Sequence, residues 1–121
     1  ERSYPYFSGF ADETGERLGR GANLNIPLPA GVGDKEYRGY LKQAMVAIDK
    51  FEPEFIILSL GLDIFEDDPL SDIGVSTPFF KEIAESIAKL GTPVLALLEG
   101  GYDMRDLAQN GATFAEGLAE L

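Results

Sequence analysis

The stretch from Phe55 to Leu70 reads FIILSLGLDIFEDDPL and decides the fold class. Its first six residues are apolar apart from Ser59, and they have the length and branched side chains that are typical of a buried β-strand. Gly61 ends this strand, and Asp63 follows two residues later. Ligands of open α/β sheets bind just beyond the carboxyl ends of parallel strands. We therefore expect Asp63 to lie where a metal ion or a substrate binds.

A second segment has the same pattern. Residues 94–98 read VLALL and predict another buried strand, and the pair Gly100–Gly101 then leads into Tyr102. If the two strands are parallel neighbours, about 4.8 Å apart, Asp63 and Tyr102 lie at one edge of the sheet and can reach the same small molecule. Consecutive glycines permit a tight turn with positive φ, which would present Tyr102 to a cleft.

Helices are predicted before, between and after these strands. Apolar residues recur at helical spacing in three segments, for which Asp34, Thr77 and Asp103 are candidate N-caps. We divide the chain into an extended loop region, residues 1–33, and a helix–strand–helix–strand–helix region, residues 34–121. A strand–helix–strand unit implies parallel strands and a right-handed crossover. Since two parallel strands alone do not form a stable sheet, we predict the end portion of a larger α/β domain.

The composition excludes several kinds of site. The 121 residues include no histidine and no cysteine, so the chain cannot build a Ser-His-Asp or Cys-His arrangement, a disulfide or a thiolate metal site. Its net charge of −11 would repel a phosphate backbone, and we expect no nucleic-acid partner. A cationic substrate would suit this charge, although acidic surfaces also serve solubility alone. No apolar run is long enough for a membrane span, so we expect no membrane partner and take a cytoplasmic location as the default.

Three motifs resemble the histone deacetylase and acetylpolyamine amidohydrolase family. Residues 59–63, SLGLD, and the following Asp68-Pro69-Leu70 are similar to the S-x-G-x-D…DPL segment of that family. Residues 98–102, LEGGY, are similar to its LEGGY segment, and residues 25–37 match its NxPLP-x-G…GD…Y stretch. The three motifs appear in the order and spacing of the family, and the resemblance covers nearly the whole chain.

The resemblance implies a fold, an activity and a set of site residues. The fold would be the C-terminal part of an arginase–deacetylase-type three-layer α/β/α domain with a parallel sheet. The activity would be zinc-dependent hydrolysis of a small-molecule or peptide acetyl-amine, of the acetylpolyamine or acetyl-lysine type. Asp63 matches an aspartate ligand of the zinc, and Tyr102 matches the catalytic tyrosine that hydrogen-bonds the substrate carbonyl. Gly100 and Gly101 match the turn that positions this tyrosine.

The chain also departs from the family pattern. The tandem histidines and the Asp-x-His segment with the other zinc ligands lie upstream of the matched region in the family, and this chain has none of them. Because zinc sites usually have three or more protein ligands, we expect the chain by itself to be inactive and to hold no zinc tightly. We also expect it to self-associate or to contact a missing N-terminal portion. Ile64 and Phe65 replace a small and a polar residue of many relatives, which leaves the substrate open.

Other interpretations stay open at this point. The chain could be a non-catalytic α/β binding module, or a remnant that keeps the fold without the chemistry. It could also be an unrelated doubly wound domain whose acidic loop binds Mg²⁺ or Ca²⁺ through Asp63, Asp67 and Asp68. On the residues alone, Asp63 could simply cap a turn while Tyr102 packs on the next helix.

Overall fold

The structure is a computed structural model that describes residues 5–119. Within that range the elements in chain order are helix α1 (Asp34–Phe51), strand β1 (Ile56–Leu60), helix α2 (Thr77–Ala88), strand β2 (Val94–Leu98) and helix α3 (Leu107–Ala119). Before α1 the described chain has one short 3-10 turn, Arg17–Gly19. None of the helices in this range combines the length and the apolar character needed to cross a membrane.

The two strands lie side by side and run parallel, with Ile56 opposite Val94 and Leu60 opposite Leu98. Strand β1 is aliphatic apart from Ser59 and is followed by Gly61, whereas β2 is entirely aliphatic and is followed by Glu99 and then Gly100–Gly101. Helix α2 forms the crossover between them and begins with Pro78 in its first turn, where the missing N–H costs no hydrogen bond. The predicted parallel sheet is therefore confirmed.

The helices cover one face of this sheet. Alternate strand residues on that face pack against a core built mainly from α2 and the loop that precedes it, together with Phe114 of α3. Phe80 and Phe114 are its largest fully buried side chains. These strand residues are Leu58, Leu60, Val94 and Ala96. On the opposite face Ile57 is 68 % exposed, and Leu95 and Leu97 are each 47 % exposed. Within residues 5–119 the sheet is thus covered by one helical layer, and its second face is bare.

Helix α1 begins at its predicted cap residue, one position earlier than expected. Gly33 occupies the cap position and Asp34 is the first helical residue, so the cap prediction was wrong. The Asp34 carboxylate instead accepts hydrogen bonds from the backbone N–H of Ser76 at 2.8 Å and from its hydroxyl at 2.7 Å. Asp34 therefore joins the start of α1 to the loop that leads into α2.

The other two predicted caps also have different partners. Thr77 is the first residue of α2 rather than its cap, and its hydroxyl donates to Oδ1 of Asn110 on α3 at 2.7 Å. The Asp103 carboxylate accepts the N–H of Arg105 at 3.0 Å and pairs with its guanidinium at 2.9 Å. This contact closes a turn, so α3 begins only at Leu107. Its predicted end at Leu121 lies outside the described residues.

Candidate active site

The loops after β1 and β2 lie side by side because the strand pairing continues past the strand ends. The N–H of Glu99 donates to the carbonyl of Leu60, and the N–H of Leu62 donates to the carbonyl of Gly100, each at 2.8 Å. Leu62 is buried in the core and anchors the loop after β1 there. The segment with Asp63 therefore runs next to the segment with Gly100, Gly101 and Tyr102, as expected for parallel neighbours.

Asp63 lies directly against two glycines. A Cβ atom on Gly61 would stand 2.6 Å from the carboxylate Oδ1, and a Cβ on Gly100 would stand 2.8 Å from Cγ and closer still to Oδ2. The side chain is half-buried and borders a cavity of about 250 Å³. Among residues 5–119 no backbone or side-chain donor hydrogen-bonds to this carboxylate, so its lone pairs remain available to a ligand.

Tyr37 of α1 lines the same cavity. Its ring meets Phe79 edge-on, with the centroids 5.7 Å apart and an interplanar angle of 83°. Burial raises the pKa of the Tyr37 phenol, and the negative charge of Asp63 raises it further. The phenol therefore stays neutral beside Asp63 and adds no second charge to the cavity.

The two glycines before Tyr102 serve different purposes. Gly101 has φ +142°, where side chains are disfavoured, and a Cβ there would lie 2.7 Å from Cδ1 of Leu107. Gly100 is not in a positive-φ conformation, so the expectation of a positive φ holds only at Gly101. Gly100 instead provides the room that the Asp63 carboxylate occupies. The turn leaves Tyr102 50 % exposed beyond the strand edge.

Sequence reasoning missed the part played by Asp68. This residue is only 6 % exposed, and its two carboxylate oxygens accept different backbone N–H groups. Oδ2 accepts the N–H of Tyr102 at 2.7 Å, and Oδ1 accepts the N–H of Leu70 at 2.9 Å. The contact to Leu70 is the local turn that the sequence Asp-Pro-Leu favours, but nothing in the pattern indicates the contact 34 residues away.

The acidic loop does not assemble the predicted Mg²⁺ or Ca²⁺ ligands. Among residues 5–119 one group of three carboxylates lies within 4.8 Å, and it consists of Asp67, Asp103 and Asp106. Arg105 pairs with two of them, at 2.9 Å from Asp103 and 3.8 Å from Asp67, and its hydrogen bond lowers the pKa of Asp103. Asp63 is not in this group. The ligand set of the doubly wound alternative is therefore not brought together.

A zinc ion would find one suitable ligand here. The Asp63 carboxylate has the required free lone pairs, but the chain has no histidine or cysteine to complete a set of three. The described residues therefore fit part of a zinc site and not a whole one.

The two residues after Asp63, which depart from many relatives, lie in different surroundings. Phe65 is buried in the core, and Ile64 packs against that core while also touching the cavity. The departure at Phe65 therefore concerns core packing, whereas Ile64 borders the cavity beside Asp63.

Comparisons with known proteins find relatives that match nearly the whole chain. The family model described as "Histone deacetylase domain" matches residues 1–118. Acetylpolyamine amidohydrolase 1 of Pseudomonas aeruginosa is 39 % identical over 114 residues, which are 94 % of this chain and 33 % of that protein. A probable deacetylase of Methanothermobacter thermautotrophicus is 43 % identical over 112 residues, which are 92 % of this chain and 34 % of that protein.

Solved structures give the same answer for the fold. The acetylpolyamine aminohydrolase of Burkholderia pseudomallei superposes with a TM-score of 0.94 at 35 % identity, over 98 % of this chain and 34 % of that one. A histone deacetylase homologue in complex with SAHA superposes with a TM-score of 0.87 at 33 % identity, over 95 % and 32 % of the two chains. These matches confirm the predicted deacetylase-type α/β fold. The chain spans about a third of the length of these relatives, and it belongs to the histone deacetylase family.

Proposed function

We propose that this chain is the C-terminal portion of a zinc-dependent deacetylase that hydrolyses acetylated amines of the acetylpolyamine or acetyl-lysine type. The names of its relatives support this reaction class. The net charge of −11 favours a cationic polyamine over an uncharged amide. The remaining zinc ligands and the histidines would come from residues that precede Glu1 in the complete protein.

One observation carries the proposal: the Asp63 carboxylate lies against Gly100 without a protein donor among residues 5–119, and the exposed Tyr102 follows two residues later. In this proposal Asp63 is one zinc ligand. Zinc, when bound, would polarise the amide carbonyl and lower the pKa of a water molecule. Tyr102 would donate its phenolic hydrogen to the carbonyl oxygen and stabilise the oxyanion that forms there.

Tyr102→Phe in the complete protein tests this assignment. Loss of one oxyanion donor typically lowers kcat by about 100- to 1000-fold, whereas a phenol that binds no metal should leave the zinc content unchanged. Release of acetate from an acetylpolyamine and from an acetyl-lysine peptide gives kcat, and elemental analysis gives zinc. Tyr40→Phe on α1 is the matched control and should retain full turnover. Undiminished turnover in Tyr102→Phe would contradict the proposal.

The coding sequence upstream of Glu1 separates the enzyme from a non-catalytic remnant. The proposal requires tandem histidines and an Asp-x-His segment there, because Asp63 alone cannot hold zinc. A complete protein without them would be a remnant that keeps the fold.

A further inference from the structure

The buried carboxylate of Asp68 connects the two loops of the candidate site. It accepts one N–H from its own loop, that of Leu70, and one from the loop after β2, that of Tyr102. Its own N–H donates to the carbonyl of Phe65 at 3.0 Å, which fixes its main chain as well. Hydrogen bonds to an ionised acceptor are roughly twice as strong as neutral ones. Asp68 is therefore a firm link between segments that are distant in sequence.

The Asp68 carboxylate links the two loops beyond the point where hydrogen bonding between the strand extensions ends. The last hydrogen bond between the strand extensions uses the carbonyl of Gly100, and Gly101 then turns the chain with φ +142°. Beyond that point the N–H of Tyr102 donates to Asp68. The direction in which the Tyr102 ring leaves the main chain thus depends on an acceptor that lies five residues after Asp63.

Asp68 is not placed to react with a substrate. It is 6 % exposed, and each of its oxygens already accepts a backbone N–H. Its neighbour Asp67 is exposed and bonds neither amide, which makes it a matched comparison in the same loop.

We propose that Asp68 is a positioning residue for Tyr102: its carboxylate holds the backbone of Tyr102 in register with Asp63, so that the phenol points to the carbonyl of a substrate bound there. The proposal rests on the proposed function, because it assumes that Tyr102 stabilises the oxyanion. A shift of about 1 Å in a reacting group can lower the rate about 100-fold. Asp68 would then affect turnover without touching substrate or metal.

The test is a double-mutant cycle on kcat in the complete protein. Asp68→Asn keeps one acceptor oxygen of the two, so we expect kcat to fall about 100-fold while the zinc content is retained. In the background of Tyr102→Phe the same change should lower kcat little further, because the group that it positions is gone. Asp67→Asn should leave kcat unchanged in both backgrounds. An equal loss in both backgrounds, or no loss in either, would overturn the role of Asp68.

Hydrogen exchange of the unmodified protein provides a second measurement if Asp68→Asn does not fold. The amide of Tyr102 should exchange slowly although it lies outside both strands, and fast exchange would overturn the link. Failure of the proposed function gives a different result, since Tyr102→Phe would then keep full turnover whatever happens at Asp68.

Discussion

At Gly100 the carboxylate of Asp63 occupies the space that a Cβ atom would take. Glycine is needed there for room, whereas at Gly101 it is needed for φ +142°. The two consecutive glycines thus meet two different physical requirements. Only the requirement at Gly100 bears directly on Asp63, the proposed metal ligand.

Gly100→Ala should therefore weaken zinc binding in the complete protein. The new methyl group would displace the Asp63 carboxylate, and loss of a group that supports a metal ligand typically lowers metal affinity about 10- to 100-fold. Competition with a chelator measures this affinity. Gly39→Ala on α1 is the control, because a Cβ at Gly39 meets nothing within 4 Å. Equal zinc affinity in the two variants would show that Asp63 binds no zinc.

At this scale the sequence predicted which residues stand at the strand ends but not how each is held. The positions of Asp63 and Tyr102 follow from two apolar runs and the rule for parallel strands. The acidic loop offers several carboxylates, and no local pattern distinguishes the buried Asp68 from the exposed Asp67. That difference depends on the turn after β2, which lies 34 residues away from Asp68.

Among the elements, the contact between α2 and α3 depends on a glycine. A Cβ on Gly117 would lie 2.6 Å from the carbonyl oxygen of Lys81 and 2.7 Å from Cβ of Ala84. The two helices approach closely at this point, and the core around Phe80 and Phe114 lies beside it. This helix pair supports the covered face of the sheet.

Gly117→Ala should destabilise the protein although alanine is the better helix former. Overpacking a core costs about 1–3 kcal/mol in general, against a gain of about 1 kcal/mol from helix propensity. Gly111→Ala on the same helix should do the opposite, because its Cβ would lie 3.7 Å from Leu62 in ordinary contact. Urea unfolding followed by circular dichroism measures both free energies. Stabilisation of similar size in both variants would contradict this packing.

The strands and the starts of α1 and α2 were predicted to within a residue, whereas the start of α3 and the partners of the candidate cap side chains were not. Short aliphatic runs with a glycine one or two residues beyond them leave few alternatives for β1 and β2. Each candidate cap, in contrast, has a side chain with more than one possible partner. Asp34 bonds Ser76 across 42 residues and Asp103 bonds Arg105 locally, and a single sequence cannot rank such contacts.

For the molecule as a whole, the main feature is the second face of the sheet, which no helix covers within residues 5–119. Ile57, Leu95 and Leu97 expose apolar surface there, as a sheet of a three-layer domain would if it lacked one layer. We propose that the preceding part of the complete domain covers this face, and that the 121-residue chain alone associates through it. A sedimentation experiment in which that chain stays monomeric as its concentration is raised would contradict this association.

Composition could not identify the activity, because a net charge of −11 and the absence of histidine exclude sites without assigning one. The arrangement of the two loops leaves one carboxylate, that of Asp63, as the candidate metal ligand. If the chain supplies one ligand to a zinc site that other residues complete, zinc binding must require both Asp63 and residues outside this chain.

The zinc content of purified complete protein tests this most directly. We predict about one zinc ion per chain, a small fraction of that in Asp63→Asn, and an unchanged content in Asp67→Asn. Asparagine keeps the size of the side chain but loses the charge that binds the ion. Full zinc content in Asp63→Asn would contradict the assignment of Asp63 as a metal ligand, and with it the proposed site.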